Sequence, residues 1–207
     1  MKYEIRAISG DISISERTIE GMWAVYNSPS QVLMMQRANG DIIRFRETLM
    51  PGCFDRTDMT NVKCVLDHDE KGGYLGRTPG SLRIIPTERG MMYSCDLPNL
   101  PVGDRAMEFV QRGDYKGNSF RFYTRSGDDK WEIGEDGIYN RYITNVSGLA
   151  HVGPVFDPAY TDTEVQMAMR SLEESGVLEV EPAKVNYKEQ RERSINVKLN
   201  KIKCLNY

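Results

Sequence analysis

The sequence predicts a mostly β domain with flanking helices, an α+β fold, on three observations. Most of the first 160 residues fall into short runs in which apolar and polar side chains alternate. Turn signals rich in Gly and Asn separate these runs, a pattern of sandwiches and barrels. Helical spacing is confined to a few short stretches.

Taken in order, residues 2–8 alternate, with Tyr3, Ile5 and Ala7 on one face. Residues 18–26 alternate less cleanly around Met22, Trp23 and Val25. The turn signal Asn39-Gly40-Asp41 suggests a hairpin between 31–36 and 41–48. A one-turn helix is expected after Pro51-Gly52, and further strands at 61–66, 81–85, 90–97, 119–124 and 139–146. Residues 103–112 place Ala106, Phe109 and Val110 at helical spacing, with Asp104 near the start and Gly113 just past the end. Residues 161–171 read as the clearest helix, with Val165, Met167, Ala168 and Leu172 apolar and Gly176 as a stop. Beyond Ser171 the character changes. Residues 171–183 carry four acidic and no basic groups, and 184–207 carry seven basic and two acidic. The expected division is a domain at 1–170 and a charged C-terminal tail at 171–207.

Composition removes several function classes. With 27 basic and 30 acidic residues, net charge −3, the chain has no bulk charge for holding nucleic acid. No run approaches the roughly 18 apolar residues of a membrane span. Charges at Lys2, Glu4 and Arg6 occupy the place of a signal peptide's apolar stretch, so export is not expected. Cys53, Cys64, Cys95 and Cys204 are scattered without CxxC spacing, which suits reduced thiols in a cytosolic chain. Neither a Walker loop nor GxGxxG is present, and Cys64 with His68 lacks a second compact pair for zinc, so no cofactor or metal is expected. There are only two histidines, His68 and His151.

Three residues could carry chemistry. His68, in Leu66-Asp67-His68-Asp69, ends a strand before the Gly72-Gly73 loop. It is either a catalytic group fixed by the sheet or a surface histidine between two acids. Ser119, in Gly117-Asn118-Ser119-Phe120-Arg121-Phe122, is either a positioned nucleophile or an ordinary strand-start serine. Phe120 and Phe122 share one strand face, Ser119 and Arg121 the other. His151, in Gly148-Leu149-Ala150-His151-Val152-Gly153, has small neighbours that let it pack structurally or reach a partner.

Motif order takes the reading further. Gly21-Met22-Trp23-Ala24-Val25-Tyr26-Asn27 is followed by Glu47-Thr48-Leu49-Met50-Pro51-Gly52-Cys53-Phe54, Leu66-Asp67-His68-Asp69 and Leu75-Gly76-Arg77. Then come Arg112-Gly113, Asn118-Ser119-Phe120-Arg121-Phe122 and Val155-Phe156-Asp157-Pro158-Ala159-Tyr160. This order resembles, over residues 1–165, the prohead (procapsid maturation) proteases of tailed phages, distant relatives of the herpesvirus capsid-assembly protease.

The resemblance implies a serine endopeptidase with a herpesvirus-protease-like closed antiparallel β-barrel surrounded by helices. It implies Ser119 as nucleophile and His68 as general base. His151 stands where many phage members carry a glutamate and the herpesvirus relatives a second histidine, so a Ser-His-His triad is expected. Gly153 and Arg121 depart from the usual small or hydroxyl residue and glycine; Arg77 and Arg125 are candidate oxyanion contributors. The implied substrates are the scaffold segment of the major capsid protein or a separate scaffold protein, and the chain itself, with the tail as the place of self-cleavage or a packaging signal. The implied location is the host cytoplasm within the immature capsid. A homodimer is expected only by analogy with the herpesvirus relatives. The alternative is a catalytically inactive capsid-assembly or scaffold-binding module of the same fold. A neutral imidazole in the third place stabilises an imidazolium only weakly, so a slow enzyme is expected. Its activity should fall as pH drops through about 6.5, the ordinary histidine value.

Overall fold

A computed structural model describes residues 3–10, 12–37, 39–157 and 166–179. Pro158-Ala159-Tyr160, the first residues of the helix expected from Thr161, the basic part of the tail and Cys204 lie outside the described residues. The described residues form thirteen strands and two α-helices. The strands are β1 (Glu4–Ser9), β2 (Ile12–Ser15), β3 (Thr18–Val25), β4 (Leu33–Gln36), β5 (Ile42–Leu49), β6 (Lys63–Cys64) and β7 (Gly76–Arg77), then β8 (Leu82–Thr87), β9 (Gly90–Asp96), β10 (Gly117–Tyr123), β11 (Asp129–Ile133), β12 (Tyr139–Ile143) and β13 (Gly148–Val155). The helices are α1 (Pro101–Arg112) and α2 (Gln166–Glu174). Neither is long and apolar enough to cross a membrane.

The mostly β composition with flanking helices is as expected, but the closed antiparallel barrel is not found. The strands form three separate sheets, ordered β1-β10-β13-β6-β7, β2-β3-β9-β8 and β11-β12-β5-β4. Two of the pairings, β13 with β6 and β12 with β5, are parallel. Closure requires each edge strand to find a backbone partner. The first sheet instead ends at β7, only two residues long and followed within two residues by Pro79, which has no N–H to donate.

The sheets are joined by side chains and by a backbone bridge between Tyr26, just past β3, and Leu49 of β5. Trp23 of β3 packs at 5.0 Å from Phe120 of β10 and 4.9 Å from Phe54, inside a core that also takes Ile19, Tyr93, Val152 and Ala106. Between the first and third sheets lies a buried ion network. Arg6 bonds Glu4 and Glu47 at 2.7 Å each, and Arg141 bonds Glu4 at 2.6 Å, Glu47 at 2.8 Å and Asp129 at 2.6 Å. Burial pushes the Glu47 carboxyl up, but Arg6 and Arg141 outweigh it and hold it below the usual carboxylate range. Breaking such a set leaves an uncompensated buried charge at a cost of about 3–5 kcal/mol.

α1 starts two residues before the expected Gly103 because Pro101 suits a first helical turn. It buries Gly103, Ala106 and Val110 and stops at Gly113, whose left-handed backbone (φ 71°) lets its N–H and that of Asp114 bond the last carbonyls. Residues 51–56 form successive turns rather than the expected one-turn helix. α2 runs past the expected end at 171 to Glu174. Ala168 and Leu172 are fully buried against Leu33, Met35, Phe45 and Trp131, and Val177 and Leu178 pack on the same cluster. Ser171 bonds both Asp129 and the Trp131 indole N–H. The start of the acidic segment is therefore part of the packed structure, its apolar residues outweighing its charges.

Candidate functional site

The site is built on two neighbouring strands of the first sheet and the turn after β6. In β10, Phe120 and Phe122 point into the core and stack at 5.0 Å, which turns Ser119 and Arg121 to the opposite face. β13 lies beside β10, placing Ser119 opposite Gly153 and Arg121 opposite His151. β6 continues the sheet in parallel, with Lys63 in register with His151.

β6 ends at Cys64, and the chain then turns sharply. Asp67 (φ 47°) and His68 (φ 60°) both take the left-handed backbone region, which costs non-glycine residues on the order of 1–3 kcal/mol each. Several bonds hold them there. The Asp67 N–H donates to Pro154 O at 3.1 Å, and the Asp67 carboxylate accepts from Phe156 N–H at 2.9 Å. The Asp69 N–H donates to Leu66 O at 2.8 Å, and Asp69 caps the following 3-10 turn (Glu70–Gly72) by accepting from Lys71 N–H. The flanking acid Asp67 thus anchors the turn that aims His68.

Gly153 permits the close approach of β13 to this turn. A Cβ there would stand 1.9 Å from the Val65 carbonyl oxygen. The Val65 N–H donates to Val152 O at 3.0 Å, so the two segments are in backbone contact one residue away.

All three expected residues meet. His68 Nε2 lies 2.6 Å from Ser119 Oγ, and His68 Nδ1 lies 3.4 Å from His151 Nδ1. The imidazole centroids are 4.9 Å apart. Ser119 Oγ also lies 2.8 Å from the Arg6 carbonyl oxygen on β1. The serine and His151 are fully buried and His68 is half-buried. Burial, then the Arg121 guanidinium, lowers the His68 pKa to about 4. Burial, then His68, Arg121 and Lys63, lowers that of His151 to about 3. Both rings are therefore neutral near pH 7, the state in which an imidazole nitrogen can accept a proton or a hydrogen bond.

Two further residues border the site. Arg121 Nη1 lies 3.3 Å from Glu70 Oε1, and the same oxygen stands 3.9 Å from His151 Nε2. Of the oxyanion candidates, Arg77 sits on β7 opposite Lys63, and Arg125 lies over the Tyr123 ring at 5.8 Å. Neither placement supplies a contact to Ser119. Glu70 escaped sequence reasoning, since its partner His151 is remote in the chain; its one signal was an acid two residues beyond a candidate base. Among the described residues no group of three or more His, Cys, Asp or Glu side chains is arranged to hold a metal ion.

Comparison with known families gives one match. The model of the caudovirus prohead serine protease family covers residues 1–177, most of the chain. No curated protein and no solved structure matches it.

Proposed function

The chain belongs to the caudovirus prohead serine protease family, and from that premise we propose that it is a capsid-maturation endopeptidase acting through Ser119, His68 and His151. The observation that carries the assignment is the 2.6 Å contact between Ser119 Oγ and His68 Nε2, a nucleophile within proton-transfer reach of a neutral base.

In the proposed reaction the Ser119 O–H gives its proton to His68 Nε2 as Oγ attacks the scissile carbonyl. His68 then protonates the leaving amine, and water, activated by the same nitrogen, releases the acyl group. In the competent tautomer His151 Nδ1 accepts from His68 Nδ1–H, which leaves Nε2 free to act as base. Ser119 is buried, with its Oγ between His68 Nε2 at 2.6 Å and the Arg6 carbonyl oxygen at 2.8 Å.

The proposed substrates are the scaffold segment of the major capsid protein or a separate scaffold chain, met inside the prohead in the host cytoplasm, together with the enzyme's own tail. A protease domain that runs through α2 and the packed residues Val177 and Leu178, followed by a charged tail, and a homodimeric state are parts of the same proposal. Co-expression with the phage's major capsid protein tests it. Wild type should shorten the capsid protein, and Ser119→Ala should lose several orders of magnitude in rate and leave it full length. Equal processing by Ser119→Ala would overturn the assignment and leave the inactive assembly module as the better reading.

A further inference from the structure

The chain Ser119–His68–His151 has a hydrogen-bond ambiguity that the three residues cannot resolve among themselves. The serine hydroxyl has one hydrogen and two acceptors in reach, His68 Nε2 at 2.6 Å and Arg6 O at 2.8 Å. If the hydrogen goes to His68, then His68 carries its proton on Nδ1, His151 accepts on Nδ1, and His151 carries its proton on Nε2. If it goes to Arg6 O, every proton is reversed. His68 Nε2–H then donates to Ser119 Oγ, His151 Nδ1–H donates to His68, and His151 Nε2 is bare. Only the first arrangement has a base facing the nucleophile.

The far end of the chain decides between them. His151 Nε2 is buried and has no hydrogen-bond partner among the described residues. The polar atom 3.9 Å from it is Glu70 Oε1, about 0.7 Å beyond hydrogen-bond reach. The Glu70 side chain is 38% exposed, so a small rotation can close that gap. A carboxylate can only accept. It stabilises His151 Nε2–H and repels a bare Nε2 lone pair.

We propose that Glu70 is a positioning residue that selects the catalytically competent tautomers of His151 and, through it, of His68. This rests on the reading of Ser119 and His68 as nucleophile and base. The charged groups around the pair support the role. Arg121 from β10 and Lys63 from β6 both face it, and an N–H donor in the place of Glu70 would favour the bare Nε2 and the incompetent arrangement. Glu70 pairs with both cations instead, Arg121 through Nη1 on Oε1 at 3.3 Å and Lys63 on Oε2 at 3.5 Å, with the Tyr74 hydroxyl 3.4 Å from Oε2. The carboxylate also supplies the negative charge that a neutral third imidazole lacks when His68 becomes cationic during attack.

With only two histidines in the chain, the tautomers are directly readable. Full-length protein labelled with 15N on its imidazoles is compared by NMR at pH 7 as wild type, Glu70→Asp and Glu70→Gln. A fluorophosphonate probe then reports Ser119 reactivity in the same samples. Wild type and Glu70→Asp should show His68 protonated on Nδ1 and His151 on Nε2. Glu70→Gln, whose amide can donate as well as accept, should give mixed tautomers, label about tenfold more slowly and keep the wild-type melting temperature within a few degrees. Wild-type tautomers and labelling rate in Glu70→Gln would overturn the role of Glu70. Wild type that labels no faster than Ser119→Ala would instead overturn Ser119 as nucleophile, and the tautomer comparison would still decide whether Glu70 selects.

Discussion

At the scale of single residues, the site is governed by how burial changes two imidazoles. Position alone left His68 between a catalytic group and a surface histidine, and Ser119 between a nucleophile and a strand start. The contact that brings the two together spans 51 residues of chain, so no local pattern could display it. The ordinary histidine value implies an acid limit near pH 6.5. Burial, followed by the repulsion of Arg121, instead lowers His68 to about 4. The sign is that of a base. His68 must be neutral to accept the Ser119 proton, and a lowered pKa keeps it neutral further into acid. Fluorophosphonate labelling of the free protein at pH 5.5 should therefore stay within about twofold of the rate at pH 7, and fall only as pH approaches about 4. A tenfold loss already at pH 5.5, as an unperturbed imidazole would give, would contradict this environment.

At the scale of elements, what was legible depended on which faces each strand buries. β3 and β5 lie within two residues of their expected places, β3 because its partial alternation survives folding and β5 because the Asn39-Gly40-Asp41 turn signal marks its start. β13 was not expected as a strand although it carries His151. It is buried along nearly its whole length, so Gly148-Leu149-Ala150-His151-Val152-Gly153-Pro154-Val155 shows no alternation, and its two glycines and proline read as loop. β2 and β11 were also missed: Trp131 is the one residue that the two bury, so neither carries a run of buried apolar side chains. The same close packing that hid β13 makes it sensitive. Gly153→Ala would drive a Cβ to 1.9 Å from the Val65 carbonyl, a backbone atom that cannot rotate away. β13 and the segment leading to His68 must then part. The expected cost is about 1–3 kcal/mol, with a lower melting temperature. Ser119 labelling should fall disproportionately, since Ser119 faces Gly153 and His68 follows Val65 by three residues. A variant with unchanged melting temperature and labelling would show that the two segments tolerate the displacement.

At the scale of the whole molecule, the boundary between the packed domain and the tail is where charge counting and packing diverge. A run with four acids and no bases reads as a solvated tail, and it moved the expected end of the domain to 170. Yet Leu172 has no exposure, Val177 and Leu178 pack on the same cluster, and Ser171 ties α2 to Asp129, a member of the ion network that joins the first and third sheets. A chain ending at 170 would uncover Leu33, Met35, Phe45 and Trp131 and remove one hydrogen-bond partner of Asp129. A chain ending at 179 would keep every one of these contacts while losing the basic segment. Loss of a buried leucine alone costs about 2–5 kcal/mol. In a domain of this size that lowers the melting temperature on the order of 5–15 °C. Thermal unfolding of the two truncations beside the full chain separates the cases. The chain ending at 179 should melt within a few degrees of full length, and the chain ending at 170 should melt well below it. Equal melting of all three would place the end of the stable domain before α2 and make its burial incidental to the fold that holds Ser119 against His68.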